Sequence, residues 1–401
     1  MTGRRARVLR ALAFVVAAGL LAAACHASRT NGQSASSHQP SARPVRATPT
    51  AHASGGVGAD LLPGMPPPLS AHDVWAADRP GRLARAVRHD PYRVYVPNSG
   101  SDTVTEIDPK RHKVIRTFKV GRLPQHVVPS YDLRTLWVNN DAGNSLTPIS
   151  PRTGRPGHAV HVLDPYNLYF TPEGKYAVVM AEARHRIDFL DPRSMRLEHT
   201  LHVPCGGVNH ADFSADGRYF LVSCEFTGQL LRVDTATRRI TGMLRLRAGS
   251  KPQDVKLAPD GRTFYVADMV ANGLWKVSGD PLRLNGFVHT GKGAHGLYVT
   301  RDSRRLLVTN RDAGTISVVS FSTGRVVGTW HIRGGGSPDM GNLSPDGRAI
   351  WLSGRYNGVV YELSTATGKL LAKIRVGNGP HGLCVWPQPG RYSLGHTGIM
   401  R

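Results

Sequence analysis

The sequence predicts an all-β protein: a seven-bladed β-propeller of four-stranded antiparallel blades, closed by pairing of the C-terminal strand with the first blade. Three observations carry this. A four-residue signature recurs seven times at near-constant spacing. Each period holds four short β-rich runs separated by tight-turn residues. The composition, with 44 Gly, 28 Pro and 40% apolar residues in 401, supplies many turns and enough apolar material for a large core.

The signature copies read Tyr95-Val96-Pro97-Asn98, Trp137-Val138-Asn139-Asn140, Val178-Val179-Met180-Ala181, Leu221-Val222-Ser223-Cys224, Tyr265-Val266-Ala267-Asp268, Leu307-Val308-Thr309-Asn310 and Trp351-Leu352-Ser353-Gly354. Successive copies are 42, 41, 43, 44, 42 and 44 residues apart. A steady period in this range means one supersecondary unit stacked on copies of itself. One unit shows the four runs: 295–300, 305–309, 315–320 and 325–332, with turns at Arg301-Asp302-Ser303 and Ser322-Thr323-Gly324. Asp216-Gly217, Asp260-Gly261 and Asp346-Gly347 mark the first hairpin in other units. Four-stranded units at this spacing make propeller blades, which bury their faces against neighbouring blades.

The first unit supplies only three strands, over 93–120, and the last segment, 381–386, only an inner one; together they make one blade. Seven blades result, or eight if residues 83–87 form a further inner strand. The tail 391–401 has no repeat counterpart and no predicted place.

These units resemble the YVTN β-propeller repeat family over residues 91–387. Its members include archaeal surface-layer proteins and bacterial exported propellers. More distantly the units are similar to the haem d1 domain of cytochrome cd1 nitrite reductases and to propeller lactonases. The resemblance implies the propeller; it does not imply an activity, because propellers host unrelated chemistries.

Before the repeats, residues 1–10 are short and basic, and 11–24 form a charge-free apolar run of 14 residues ending in small side chains. This is the pattern of a secretory signal peptide over 1–24, too short for a comfortable membrane span. Leu21-Ala22-Ala23-Ala24-Cys25 resembles the lipobox of bacterial lipoproteins, although the Leu stands one place further from Cys25 than usual. That resemblance implies lipidation of Cys25 and anchoring at the outer face of the bacterial cell membrane; ordinary cleavage would give a secreted protein. Residues 25–80, rich in Ser, Ala, Pro and His, read as a disordered tether, and 81–401 as the propeller.

Removing residues 1–24 takes away four arginines and no acid, leaving about +19 of the formal +23. Such a field favours anionic neighbours, from headgroups to wall polymers or acidic proteins. An exported chain has no call for nucleic acid. A general preference for Arg, which supplies 41 of the 51 basic residues, explains the charge equally well.

Two alignment columns should ring one mouth of the channel. The first opens the inner strands: Gln125, Tyr166, Asn209, Gln253, His295, Asp339 and His381, followed by His126, Asn167, His210, Asp254, Gly296, Met340 and Gly382. Four blades thus bring an imidazole, and His126, His210, His295 and His381 are candidate ligands for a transition metal. For any one of them, capping a neighbouring backbone group is the plainer reading, and a channel too wide for opposite blades to share one ion counts against the ring. The second column, after each signature, offers Glu182, Glu225, Arg311 and Arg355, beside Arg184, His185, Asp268, Asp312 and Tyr356. Guanidinium groups suit a carboxylate or phosphate; salt bridges between adjacent blades are the alternative.

Cys205 and Cys224 fall at the same end of one blade, where a disulfide fits an oxidising compartment; Cys384 reads as a core thiol. Neither C-x-x-C-H nor G-x-S-x-G occurs, and no motif of the lactonases transfers. The expected function is non-catalytic binding of a ligand, partner protein or wall polymer at the polar mouth, with no cofactor required. The competing expectation is an enzyme, either a lactonase-like hydrolase or a redox protein with a metal or a haem-like group.

Overall fold

The computed structural model describes residues 61–401, so the signal peptide expected over 1–24, Cys25 and most of the expected tether lie outside the described residues. Among the described residues the strands form seven four-stranded sheets. The closing blade, blade 1, pairs Cys384–Trp386 with Arg93–Asn98 (Arg93 opposite Trp386), followed by Thr103–Asp108 and Lys113–Lys119. Blades 2 to 7 follow in chain order, with inner strands Pro124–Pro129, Asn167–Phe170, Val208–Phe213, Pro252–Leu257, Ala294–Val299 and Pro338–Leu343. Residues 83–87 add no strand: Leu83 makes only isolated bridges to Pro389 and Gly390, so the count is seven.

Burial explains the sequence pattern blade by blade. Inner and second strands are covered on both faces by neighbouring blades, so Val208–Phe213 and Tyr219–Cys224 are buried throughout; the second strand reads as a nearly continuous apolar run, while the inner one also buries Asn209, His210 and Asp212. Outer strands face solvent on one side and alternate, as in Arg325–His331. The signature Asn has a structural task. Asn98, Asn140 and Asn310 each donate from the side-chain amide to two hydroxyls of the third strand, for Asn310 those of Thr315 (3.0 Å) and Ser317 (2.9 Å). The amide braces the second turn of its blade.

Residues 61–80, expected as tether, instead pack on the propeller. Trp75 is buried and donates from its indole to the Leu257 carbonyl (2.9 Å), and Asp78 is buried in an ion pair with Arg301. The tail also has a place. Leu394 and His396 bond the inner strand of blade 3, through Phe170 N–H to the Leu394 carbonyl (3.0 Å) and His396 N–H to the Leu168 carbonyl (2.8 Å). Asn342 donates to the Thr397 carbonyl (3.0 Å), and Arg401 pairs with Asp212 (3.1 Å) while lying over the Trp75 ring. Asp212, Leu257 and Asn342 are among the last two residues of their inner strands, so the tail and residues 74–78 both dock near the first turns of blades 4, 5 and 7. Cys205 and Cys224 form a disulfide with Cα atoms 6.0 Å apart, and Cys384 is free and buried.

Candidate metal centre

The register of the inner strands slips at the candidate residues. In blades 2, 4, 5, 6 and 7 the pairing breaks between Pro124 and Val127, Val208 and Ala211, Pro252 and Val255, Ala294 and Leu297, and Pro338 and Gly341. Each break spans the two first-column residues. Such a bulge bends the strand and re-aims its side chains. Seven blades around one axis then point these groups at each other.

The four inner-strand histidines form a closed ring. Centroid separations are 5.7 Å for His126–His210, 5.9 Å for His210–His295, 5.7 Å for His295–His381 and 4.9 Å for His381–His126. The channel is therefore not too wide for opposite blades to meet. Nor do the rings stand at an open mouth: all four side chains are almost fully buried. Close approach of blades 1 and 2 requires Gly382, since a Cβ there would collide with the His126 ring.

A fifth imidazole comes from the tail. The His396 ring lies 5.2 Å from those of both His126 and His210 and stacks on Tyr169. Sequence reasoning missed it, because the tail repeats nothing; a lone His in an apolar, Gly-rich terminus was the one available signal. Tyr166 sets its ring edge against His126 (5.5 Å), His210 (5.8 Å) and His381 (6.3 Å).

Burial pushes the His126 imidazole down to about 3 and those of His210, His295, His381 and His396 well below the ordinary range. The rings are thus neutral, the form that ligates metals. Hydrogen bonding at the far nitrogen decides which lone pair is offered. His126 Nδ1–H donates to the Tyr166 carbonyl (2.9 Å) and His210 Nδ1–H to Asn209 Oδ1 (3.1 Å), which leaves both Nε2 lone pairs free. Those Nε2 atoms, both nitrogens of His381, Nε2 of His396 and Oδ2 of Asp339 are buried without a hydrogen-bond partner. His295 Nδ1 lies 3.2 Å from Asp339 Oδ1 and 3.2 Å from the Met340 sulfur.

The remaining predicted residues divide. Asp339 is in the cluster, and its Oδ1 accepts both Nε (2.8 Å) and Nη2 (2.6 Å) of Arg311. That pair joins blades 6 and 7, so Arg311 is committed to an inter-blade salt bridge. Arg355 likewise reaches blade 1, donating to Ser99 Oγ (3.2 Å) and the Gly379 carbonyl (3.1 Å). Glu182 and Glu225 share one amide, with Asn209 Nδ2 donating to both (3.3 and 2.9 Å). Burial, then the neighbouring Glu225 and Asp141 charges, push Glu182 up to about 8. Gln253 donates to the Lys251 carbonyl. Asp254 accepts from Leu297 N–H and stands 3.8 Å from both Lys256 Nζ and His396 Nε2; Asn167 meets His396 and Tyr169. These last two serve the tail rather than a mouth.

The five rings are linked by contacts of 4.9–5.9 Å between centroids, close enough for neighbouring rings to share a small ion. Imidazoles with one carboxylate favour late first-row ions such as zinc or copper.

The profile of the YNCE-like beta-propeller family matches residues 70–389. The chain belongs to that family. A comparison with curated proteins finds no significant match. Among solved structures, this YNCE-like propeller is similar to the periplasmic gluconolactonase of Pseudomonas aeruginosa, with a TM-score of 0.62 and 19% identity over 74% of this chain and 99% of that one. It is also similar to a functionally unknown protein of Desulfotomaculum acetoxidans (TM-score 0.63, 15% identity, 73% and 98% covered). A dihydro-haem d1 dehydrogenase aligns at a TM-score of 0.56 and 16% identity, covering 81% of this chain and 79% of its own. Identities this low show a shared fold alone.

Proposed function

We propose that this protein is an exported, membrane-anchored propeller whose work is to bind a late first-row transition ion, zinc or copper, in its channel, without catalysing a reaction. The observation that carries this is the buried histidine ring with ring nitrogens of His126, His210 and His381 left unpartnered. Each such group costs about 1–3 kcal/mol when buried unsatisfied. A bound ion would satisfy several together and turn the cost into affinity.

Export and anchoring belong to the same proposal. They rest on the basic and apolar run of residues 1–24 and on the lipobox-like approach to Cys25. The Cys205–Cys224 disulfide suits an oxidising compartment. An excess of positive charge near the membrane favours headgroups or an anionic wall polymer as neighbours. A lactonase-like reading would draw on the fold shared with the gluconolactonase, and has no residue of its own to set against the histidine ring.

The test is metal content. Untagged protein is stripped with chelator, reloaded with Zn(II) or Cu(II), passed through gel filtration and assayed by elemental analysis. Tightly held metal is expected, and less of it in the His126→Asn/His210→Asn double variant whose fold is checked by circular dichroism. Wild type that stays metal-free, or a folded double variant that keeps full metal content, overturns the proposal.

A further inference from the structure

We infer that the channel holds two ions rather than one, and that the C-terminal tail completes the first of the two sites. His126, His210 and His396 take one ion; His295, Asp339 and His381 take the other. The inference rests on the metal-binding reading above and specifies it.

The geometry divides the cluster this way. In each triad one ligand atom per residue lies within 4.8 Å of the other two, and every member is buried. Three protein ligands are what an open zinc-type site uses. The number of orphaned atoms points the same way. Nε2 of His126, His210 and His396, a nitrogen of His381 and Oδ2 of Asp339 all lack partners. One four-coordinate ion held by the first triad would leave His381 and Asp339 as they are. A second ion satisfies them. Arg311 occupies Oδ1 of Asp339, so the atom it leaves bare is the unpartnered Oδ2.

The tail is built to deliver one side chain. His396 has a left-handed backbone (φ 55°) between Gly395 and Gly398, whose φ values of 99° and 118° suit glycine. Its position is held on both sides, by Leu168 and Phe170 through the backbone and by the Asn342 and Asp212 side chains. An over-determined turn that buries an imidazole against two others, 3.8 Å from the Asp254 carboxylate, is costly as a mere plug.

Asn167 fixes the ring from its other side: the side-chain amide meets His396 Nδ1 (3.0 Å) and is itself held by the Leu168 N–H, which donates to Asn167 Oδ1 (2.9 Å), while Nε2 is the ring nitrogen without a partner.

Stripped protein is titrated with Zn(II) and counted by elemental analysis after gel filtration. Two zinc ions per chain are expected for wild type, and one each for His396→Asn and Asp339→Asn. One ion in wild type overturns the two-ion inference while leaving metal binding intact; none overturns both. Two ions retained by folded His396→Asn removes the tail from the site and refutes the inference. Asp339→Asn strands the Arg311 charge, so a second measurement guards against its misfolding. Wild type loaded with Cu(II) should show an electron paramagnetic resonance signal broadened or lost by coupling between neighbouring coppers. Full-intensity signals from isolated copper overturn the inference.

Discussion

Replacing His126 with Asn removes one buried neutral imidazole, and the consequence for stability depends on pH in a calculable way. The folded chain holds this ring down to about 3 because burial penalises its cation. The unfolded chain titrates near 6.5. Between these values the unfolded state carries a proton that the folded state refuses, so stability falls as pH falls from 6.5 toward 3. At pH 5 the loss from this ring is about 2 kcal/mol, from 1.5 pH units at about 1.36 kcal/mol each. That figure depends only on the unfolded value so long as the folded one lies well below 5. Asn carries no such proton. Asp254 and Asp78, pushed up to about 6 by burial, act in the opposite sense, but they are present in both proteins and drop out of the comparison. The assay is urea denaturation of metal-free wild type and His126→Asn at pH 7.5 and pH 5.0. Relative to wild type, the variant should gain about 2 kcal/mol on going to pH 5. A stability difference that is the same at both pH values would mean that His126 is charged or solvated in the folded protein, and the case for a neutral ligand ring would fail.

Two further outcomes follow from single residues. Cys224→Ser opens the 19-residue separation closed by the disulfide; about 3 kcal/mol of stability should be lost, read as a lower urea midpoint, and an unshifted midpoint would show that the bond constrains nothing. Cys25→Ser should move the protein from the membrane pellet to the soluble fraction of fractionated cells, and a variant that stays in the pellet would place the anchor elsewhere.

The repeat was legible because its residues are local instructions. Asp-Gly at 216–217, 260–261 and 346–347 makes tight turns, and Gly217, Gly261 and Gly347 adopt positive φ there. Asn at 98, 140 and 310 sits five and seven residues before the hydroxyls it braces, a spacing visible in one dimension. Histidines 126, 210, 295 and 381 are legible by aligning units, since they fall at the two positions that open each inner strand beside one axis. Residues 61–80 read as tether because five prolines in twenty residues leave no apolar period, which hides that Trp75 and Asp78 find partners in distant blades, at Leu257 and Arg301.

By itself the sequence determined the blade, its period, the closure and four of the histidines that turn toward the channel, because each follows from short-range turn chemistry repeated at a constant period. Only the tertiary structure decided how deep the histidines lie, how near opposite blades bring them, and that His396 joins them from a tail outside the repeat. Those depend on strand bulges, on the glycine that lets blades 1 and 2 touch, and on contacts between residues more than 200 positions apart, which no local pattern records.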